Sequence, residues 1–352
     1  MKAQNIAIVI PKVTTTATGG AERFFIGLEQ ALNAQPGITA ELVQVLVDES
    51  SFEAIQESYL RVYDLDLSGY DGVISTKAPT YLVRHPNHIC YLVHTIRIFY
   101  DMFDRECAGT GATLKQQRDL ILQLDTGALR SPRTRKVYTI GHEVSRRLMQ
   151  FNGIPSDVLH PGLVLDDLTA FQEGPYENYL LMPGRLHRWK RVDLAIAAMQ
   201  QVREPLKLKI VGTGEAEQAL RQLAAGDERI EFLGRVDDQT LLDLYRHALG
   251  VVFLPIREDY GYITLEAFGH SKPVITCEDS GEPLHFIQHR GNGLVVAPKP
   301  QALAAAFTEL SQNVAQAAVW GRQGKQSIAH ITWSNIAQTL LKALDRPVIA
   351  EV

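Results

Sequence analysis

Short apolar runs alternate along most of the chain with segments in which apolar residues recur every three or four positions. The short runs predict buried β-strands and the periodic segments predict helices, an alternation typical of the α/β class with parallel sheets. Strands are predicted at residues 5–10, 41–47, 70–75, 88–95, 179–185, 206–212, 229–234, 251–256 and 272–277. Helices are predicted at residues 19–32, 51–62, 142–153, 191–202, 215–224, 238–248 and 264–270.

A break divides this pattern into two halves. Proline, glycine and acidic residues are concentrated at residues 154–174, and the strand–helix alternation then begins again. A chain of 352 residues is long for one domain, so we expect two α/β domains with a cleft between them. Ligands of open parallel sheets bind beyond the carboxyl ends of the strands, so the loops that follow strands are where chemistry is expected.

Charge and cysteine content exclude several classes of protein. The net charge of −5 and the pI of about 6.1 give no general attraction to nucleic acid or acidic lipid, so any anion must be bound locally. Cys90, Cys107 and Cys277 lie far apart, without the spacing of a zinc site or a disulfide framework. The apolar run at residues 6–10 is too short for a signal peptide, and no run reaches the roughly 20 residues of a membrane span. We therefore expect a cytoplasmic protein.

Two predicted strands are followed by loops that suit an anion. Gly19 and Gly20 precede a helix, where backbone N–H groups can face a phosphate, and a flexible helix entry is the alternative. Five basic side chains begin at the last residue of the strand predicted at 179–185: Arg185, His187, Arg188, Lys190 and Arg191. Their mutual repulsion favours a bound anion, with a solvated basic face as the alternative.

A third loop carries an incomplete dinucleotide signature. Gly212 and Gly214 begin a G-x-G pattern, but position 217 holds glutamate where the third glycine is required. This signal for a nicotinamide dinucleotide is weak, and the alternative is a tight turn that holds another phosphate. Paired aspartates at 166–167 and 237–238 lie in the predicted break and before a helix, where an N-cap is the ordinary role. No metal site is therefore expected.

The segment REDYGYITLEA, residues 257–267, places Glu258 and Glu266 on a predicted strand-to-helix turn. Together with six other segments it resembles, in order and spacing, family 4 of the retaining glycosyltransferases. The six segments are GGAER, GRLHRWKRVDLAI, KIVGTGE, FLGRV, SKPVIT and GNGLVV. The resemblance covers most of the chain and is tight from Gly184 to Ala297.

The resemblance implies a role for each matching residue. Arg185 and Lys190 match the residues that bind the donor diphosphate. Arginine offers a rigid fork of hydrogen-bond donors, and lysine offers a point charge. Glu266 matches the carboxylate that accepts hydrogen bonds from the ribose hydroxyls, and Glu258 matches the one that faces the donor sugar. His94 falls where many members carry a histidine that reaches this sugar, a structural role being the alternative. Further donor-binding residues are implied at Gly19, Gly20, Gly212, Gly214, Gly234, Arg235, Val236, Gly261, Tyr262, Ile263 and Thr264.

The resemblance also implies the GT-B fold, in which two Rossmann-like domains face each other across a cleft. An acceptor domain is expected at residues 1–165, a sugar-nucleotide domain at 166–330 and a helix returning to the first domain at 331–352. The implied activity is the retaining, metal-independent transfer of a hexose from a UDP- or GDP-sugar, without a cofactor. The acceptor would be a saccharide or lipid-linked saccharide in polysaccharide or glycolipid biosynthesis, and no nucleic acid is expected.

Functions of other classes provide the alternatives. A sugar-nucleotide epimerase or a phosphorylase would use the same fold, and a phosphorylase would also need a lysine-bound pyridoxal cofactor. The broken glycine signature argues against a dinucleotide oxidoreductase. The intact set Arg185, Lys190, Glu258 and Glu266 argues against a silent binding module.

Some positions depart from the family pattern. Glu282 stands where a glycine is common and His285 where a glutamate is common, while Gly141 and Glu143 stand where serine or asparagine is usual. These departures do not involve the residues assigned to donor binding. They concern the details of the sugar pocket.

The first half offers only an interpretation of the acceptor. Aromatic residues cluster at 96–103, and basic residues occur at 130–136 and at Arg146 and Arg147. This combination predicts peripheral contact with a membrane that carries a lipid-linked acceptor. A packed aromatic helix and a solvated basic loop are the alternative.

Overall fold

A computed structural model describes residues 3–12, 20–107, 109, 111–163 and 173–345. The chain forms two compact units, each built on a parallel sheet of six strands. The first unit combines Met1–Val164 with Ile331–Val352, and the second is Leu165–His330. The predicted α/β class is therefore confirmed.

Strands from the first half of the chain form one sheet, and strands from the second half form the other. The first sheet contains β1 (Gln4–Lys12), β2 (Ile38–Leu46), β3 (Gly72–Lys77), β4 (His88–His94), β5 (Thr134–Thr139) and β6 (Asp157–Val158). The second contains β7 (Tyr179–Pro183), β8 (Lys207–Val211), β9 (Ile230–Gly234), β10 (Gly250–Val252), β11 (Val274–Cys277) and β12 (Gly293–Val296). Their orders are β2-β1-β3-β4-β5-β6 and β12-β11-β10-β7-β8-β9. Parallel strands near the middle of each sheet are almost wholly buried, as expected where helices cover both faces.

Helices connect the strands in both units. The first half of the chain contains α1 (Gly20–Asn33), α2 (Phe52–Tyr63), α3 (Phe103–Glu106), α4 (Ala112–Leu129) and α5 (His142–Asn152). The second half contains α6 (Val192–Met199), α7 (Glu217–Leu223), α8 (Asp238–His247), α9 (Tyr262–Gly269), α10 (Pro283–Phe286), α11 (Pro300–Gln312), α12 (Val314–Ser327) and α13 (Trp333–Leu344). Short 3-10 helices occur at Thr80–Leu82, Arg97–Phe99 and Arg188–Lys190. No described helix has both the length and the apolar character that crossing a membrane would require.

Local residue chemistry defines several helix ends. The Ser51 side chain accepts from the Ala54 N–H at the start of α2, and α5 ends at Gly153, whose φ is 62°. Asp237 accepts from the Thr240 N–H at 2.7 Å and caps α8, which confirms the predicted N-cap. The aspartate pair at 166–167 lies outside the described residues.

Helix α13 follows the second unit in sequence but belongs to the first unit. Its Trp333 ring lies 5.7 Å, centroid to centroid, from the ring of Phe24 on α1. Ile336, Ala337 and Leu340 are buried on the same helix. Packing of this apolar face therefore attaches the end of the chain to the first sheet's helices.

One predicted strand is shorter than expected. The strand predicted at 251–256 ends at Val252. Pro255 has no N–H to donate to a ladder, and the carbonyls of Leu254 and Pro255 accept hydrogen bonds from the Arg191 guanidinium. The apolar run was thus correctly predicted to be buried, but its second half is an ordered loop.

Several elements were not predicted from the pattern, namely α4, α11, α12, β5, β6 and β12. Helix α4 buries Ile121, Asp125 and Leu129 in a mostly polar segment, so its apolar periodicity is weak. Strand β5 begins with Thr-Arg-Lys, which makes the solvated-loop alternative wrong for residues 134–136. Strand β6 lies within the predicted break and pairs with β5 through only two residues.

The three cysteines are all described, all buried and not joined by disulfides. Their wide spacing in the sequence predicted this. They pack as small apolar side chains in the two cores.

Candidate active site

Three loops at the carboxyl edge of the second sheet contact one another, and two of them, after β7 and β10, carry the predicted Arg185, Lys190 and Glu258. They follow β7, β10 and β11, which are neighbours in the sheet. The Ile256 N–H donates to the Trp189 carbonyl at 2.9 Å, and the Glu258 N–H donates to the Ser280 carbonyl at 2.8 Å. Parallel strands bring these loops to one edge, as the rule for open sheets predicts.

Lys190 and Glu258 meet between two of these loops. The Lys190 Nζ lies 2.5 Å from the Glu258 Oε2, and 27% and 23% of the two side chains are exposed. The same ammonium lies 5.3 Å from the centroid of the Phe253 ring. Partial burial reduces screening by water, so this pair interacts more strongly than an exposed one.

Arg185 lies beside a carboxylate that the sequence pattern did not assign to the site. Its Nη2 is 3.3 Å from the Glu215 Oε2, and the His187 Nε2 is 3.2 Å from the Glu215 Oε1. Partial burial opposes ionisation of Glu215, but a hydrogen bond from its own N–H and the charge of Arg185 outweigh this and lower its pKa. Burial lowers the pKa of His187, which accepts from the Trp189 N–H through Nδ1.

Arg191 differs from the other basic residues of its loop, because its side chain is largely buried. Its Nε donates to the Leu254 carbonyl at 2.7 Å and its Nη2 to the Pro255 carbonyl at 2.8 Å. The same fork contacts both carboxylate oxygens of Asp279 at 2.9 and 2.7 Å. The sequence predicted that all five basic side chains face either a bound anion or solvent. This is wrong for Arg191, whose side chain joins its own loop to the loops after β10 and β11.

Glu266 lies on α9, buried and hydrogen-bonded by a tyrosine from α8. The Tyr245 hydroxyl donates to the Glu266 Oε2 at 2.7 Å, and the Tyr245 ring stacks on His270 with centroids 5.3 Å apart. Burial lowers the pKa of His270 to about 4, so its ring is neutral at pH 7. The carboxylate is thus held in one orientation by buried groups.

The beginning of α9 has the backbone geometry that an anion site needs. Gly261 has φ 87°, and a Cβ there would lie 2.8 Å from the Phe253 ring, so a side chain would not fit. Tyr262, Ile263 and Thr264 form the first turn at the positive end of the helix dipole, and the Thr264 N–H donates to the Gly261 carbonyl at 2.9 Å. The Thr264 hydroxyl is buried without a hydrogen-bond partner among the described residues.

The predicted glycines bring neighbouring loops close together. A Cβ at Gly212 would lie 2.0 Å from the Gly184 carbonyl oxygen, and one at Gly214 would lie 2.4 Å from the Leu186 carbonyl oxygen. These glycines are explained by backbone packing, without a dinucleotide. Gly234, with φ 66°, ends β9, and it is followed by Arg235, which is exposed, and Val236, which is half-buried.

Predicted site residues also occur in the first unit. His94 is half-buried at the end of β4, where its carbonyl accepts from the Ala78 N–H at 3.1 Å. Gly20 begins α1, while Gly19 lies outside the described residues. Gly141 precedes α5 without a capping side chain, as expected where serine or asparagine is missing, and Glu143 pairs with Arg146.

The two remaining departures lie on the loop after β11. The Glu282 side chain is buried, and its N–H donates to the Glu258 carbonyl at 2.9 Å. His285 is exposed on the short helix α10. Glu282 therefore belongs to the backbone frame that carries Glu258.

The aromatic cluster of the first half is buried. Phe99, Tyr100 and Phe103 are at most 5% exposed, so these rings belong to the core of the first unit. The packed alternative therefore describes them better than a membrane-facing surface. Several arginines of the basic cluster are also engaged within the unit: Arg130 donates to the Asn152 carbonyl, and Arg147 is buried against Asp101.

Sequence reasoning missed Tyr245, Arg191, Asp279 and Glu215 as parts of this site. Tyr245 lies in the helix predicted at 238–248. It is one of several residues on the apolar face of this helix, so nothing in the sequence distinguished it. Asp279 follows β11 at the same sheet edge as the other loops, which was the available signal.

A family comparison agrees with the geometry of the second unit. Residues 169–327 match the family model described as Glycosyl transferases group 1. An uncharacterized glycosyltransferase of Methanocaldococcus jannaschii is 31% identical over 175 residues, which covers 46% of this chain and 43% of the relative. The chain spans about half the length of the curated relatives it matches.

Solved structures resemble the whole chain. The alignment with sucrose-phosphate synthase from Thermosynechococcus elongatus has a TM-score of 0.75 at 18% identity. It covers 96% of this chain and 98% of the synthase chain. HepE from Anabaena, in complex with UDP and glucose, has a TM-score of 0.70 at 14% identity and covers 97% and 99%. The chain therefore has the GT-B fold, and its residues 169–327 are similar to the group 1 glycosyltransferases.

Proposed function

We propose that this chain transfers a hexose from a nucleoside-diphosphate sugar, UDP- or GDP-linked, to a saccharide or lipid-linked saccharide acceptor. The observation that carries the proposal is the meeting of Lys190 and Glu258 at the carboxyl edge of the second sheet. Arg185 lies on the same loop as Lys190, and Glu266 lies on the helix that follows Glu258. A cation beside carboxylates suits a ligand with phosphates at one end and hydroxyls at the other.

The proposed chemistry depends on stabilising the leaving group. Negative charge develops on the nucleoside diphosphate as the bond to the sugar breaks, and preorganised donors accelerate this step. Arg185, Lys190 and the first-turn N–H groups of α9 supply such donors. Glu266, oriented by Tyr245, would accept from the ribose hydroxyls, and Glu258 from hydroxyls of the sugar.

The nucleotide of the donor is a proposal that a solved structure supports. HepE has been solved in complex with UDP and with UDP-glucose, which makes UDP the first nucleotide to test. Gly234, Arg235 and Val236 are proposed to lie by the base, and Gly212 and Gly214 beneath the phosphates.

The reaction is proposed to retain the anomeric configuration without a metal ion. A covalent route would need a carboxylate at the reacting carbon, whereas Glu258 is assigned to hydroxyls remote from it. Arg185 and Lys190 supply the leaving-group stabilisation that attack from the departing face requires. His94 stays a predicted contact of the donor sugar, and the first unit is proposed to bind the acceptor.

A thermal-shift screen of nucleotides and sugar nucleotides tests this function. A ligand that binds the native state raises the melting temperature, so the effective compounds would identify the base and sugar. Arg185→Ala and Lys190→Ala should each reduce turnover by about 10²–10³-fold, the scale for one charge-stabilising donor. Lys207→Ala is the matched control, because Lys207 forms a 2.6 Å pair with Glu231 at the start of β8, away from the carboxyl edge. No shift with any nucleotide, together with no transferase activity, would contradict the proposal.

A further inference from the structure

Arg191 adopts a backbone conformation that arginine seldom takes. Its φ is 52° and its ψ is 45°, in the left-handed region that favours glycine. Such a conformation persists where surrounding contacts hold it in place. The residue joins the 3-10 helix Arg188–Lys190 to α6 and directly follows Lys190.

The Arg191 side chain makes four hydrogen bonds to two other loops. Its Nε and Nη2 donate to the carbonyls of Leu254 and Pro255, both within 2.8 Å, and its Nη1 and Nη2 donate to both oxygens of Asp279, both within 2.9 Å. Only 12% of the Arg191 side chain is exposed. A planar guanidinium can satisfy this arrangement, whereas the ammonium of lysine cannot form the same fork.

These contacts lie at the base of the loops that carry the proposed donor ligands. Leu254 and Pro255 precede Glu258 by a few residues, and the Asp279 carbonyl accepts from the Arg257 N–H at 3.0 Å. A Cβ at Gly281 would lie 2.5 Å from the Glu258 nitrogen, so this loop approaches Glu258 as closely as glycine permits. Displacement of the fork would therefore shift Glu258 relative to Lys190.

We propose that Arg191 is a positioning residue of the donor site, whose fork onto Asp279 and the carbonyls of Leu254 and Pro255 sets the separation of Lys190 from Glu258. The proposal rests on the proposed function for its effect on nucleotide binding. The geometric part concerns only the pairing of Lys190 with Glu258, which can be measured without nucleotide.

Arg229 provides a matched control within the same unit. Its Nη2 and Nε contact Asp227 at 2.7 and 2.9 Å, and its guanidinium also donates to the carbonyls of Val202 and Met199 at 2.7 and 3.0 Å. The chemistry thus matches that of Arg191. Arg229 precedes β9, however, at the amino end of the strand and away from the three loops. Arg229→Lys should therefore lower stability without moving the donor ligands.

The first experiment measures UDP and GDP binding by calorimetry for the wild type, Arg191→Lys, Asp279→Asn and Arg229→Lys. We expect Arg191→Lys and Asp279→Asn to lower the affinity for the nucleotide that the wild type binds by about tenfold or more. The reason is that misplaced side chains lose much of their contribution to binding. Arg229→Lys should change affinity by less than about twofold while lowering the melting temperature to a similar extent. Equal affinity losses in the Arg191 and Arg229 variants would assign Arg191 a merely structural role and overturn the proposal.

The second experiment uses melting temperatures without nucleotide. Lys190→Ala and Glu258→Ala should combine non-additively in the wild type, because their side chains contact each other, and additively in the Arg191→Lys background. Retained coupling in that background would overturn the proposal. A wild type that binds neither UDP nor GDP would count against the proposed function alone, since this second measurement still decides the role of Arg191.

Discussion

Each of the two basic side chains assigned to the diphosphate lies against a carboxylate. Arg185 contacts Glu215 at 3.3 Å, and Lys190 contacts Glu258 at 2.5 Å. Arg185 is 71% exposed, so water weakens its pair, whereas the Lys190 pair is mostly buried. A diphosphate that binds Lys190 must therefore compete chiefly with Glu258.

This competition predicts opposite effects of Glu258→Gln on binding and turnover. Affinity for UDP or GDP should rise roughly two- to fivefold, because removing an ion pair of up to about 1 kcal/mol leaves Lys190 available to phosphate. Turnover with the sugar nucleotide should fall, because the sugar loses its carboxylate. Calorimetry and initial rates measure the two effects. Glu231→Gln, which removes a similar pair with Lys207, is the control, and a loss of nucleotide affinity in Glu258→Gln alone would exclude the competition.

The buried pair of Glu266 and Tyr245 predicts graded effects on nucleotide binding. Glu266→Gln should weaken binding by about 1–3 kcal/mol, the range for a hydrogen bond to a charged group. Tyr245→Phe removes only the hydroxyl that orients the carboxylate, so its loss should be smaller and in the same direction. Affinities for UDP and for its 2′-deoxy analogue provide the measurement. If Glu266→Gln binds both nucleotides as the wild type does, the carboxylate does not contact the ribose.

At the scale of elements, helix α2, helix α4 and the end of the 3-10 helix Arg97–Phe99 contribute to a buried hydrogen-bond network in the first unit. Asp125 of α4 accepts from the hydroxyls of Tyr59 and Tyr100 at 2.7 and 2.6 Å, and it is fully buried. Burial raises its pKa to about 6, while hydrogen bonds from the tyrosines partly oppose the shift. The polar group at the centre of α4 explains why this helix lacks a clear apolar face.

The raised pKa predicts how stability depends on pH. The folded state binds the Asp125 proton more tightly than the unfolded state, so this group adds stability below the unfolded pKa near 4. That contribution is lost as pH rises through about 6. The free energy of unfolding should therefore gain about 2 kcal/mol from this group between pH 6 and 4, relative to Asp125→Asn. Urea titrations at several pH values provide the measurement, with Asp119→Asn, exposed on the same helix, as the control. Parallel pH profiles for the wild type and Asp125→Asn would show that the carboxyl is not perturbed.

At the scale of the whole molecule, the second unit carries the proposed donor site, whereas the ligand of the first unit is less defined. The family match lies in residues 169–327, and the motifs of the second unit are dense from Gly184 onward. Loops after strands carry such sites, so the first unit's acceptor chemistry is expected beyond β3, β4 and β5.

The proposed transfer reaction should retain the donor's anomeric configuration and should not need a divalent ion. Product NMR with a UDP- or GDP-hexose and a simple saccharide acceptor measures the configuration. Initial rates in excess chelator measure metal dependence, with magnesium or manganese added back as the control. An inverted product would contradict same-face transfer. Loss of turnover in chelator that either ion restores would contradict metal independence.

Local sequence patterns were enough to predict the class of fold, most of the strand and helix positions, and the loops that hold the candidate site. These features depend on local periodicity and on short motifs, which are properties of neighbouring residues. The glycines after β7 and β8 and the glutamates around α9 were recognisable for the same reason.

The pairing of side chains from those loops could not be predicted from the sequence and became visible in the folded chain. Lys190 and Glu258 are 68 positions apart, Tyr245 and Glu266 are 21 apart, and Arg191 and Asp279 are 88 apart. Five basic residues near β7 look alike in sequence, yet the Arg191 side chain turns inward to a remote aspartate and two carbonyls. The direction of a side chain depends on partners supplied by distant strands, and sheet order rather than chain order brings those partners to one edge.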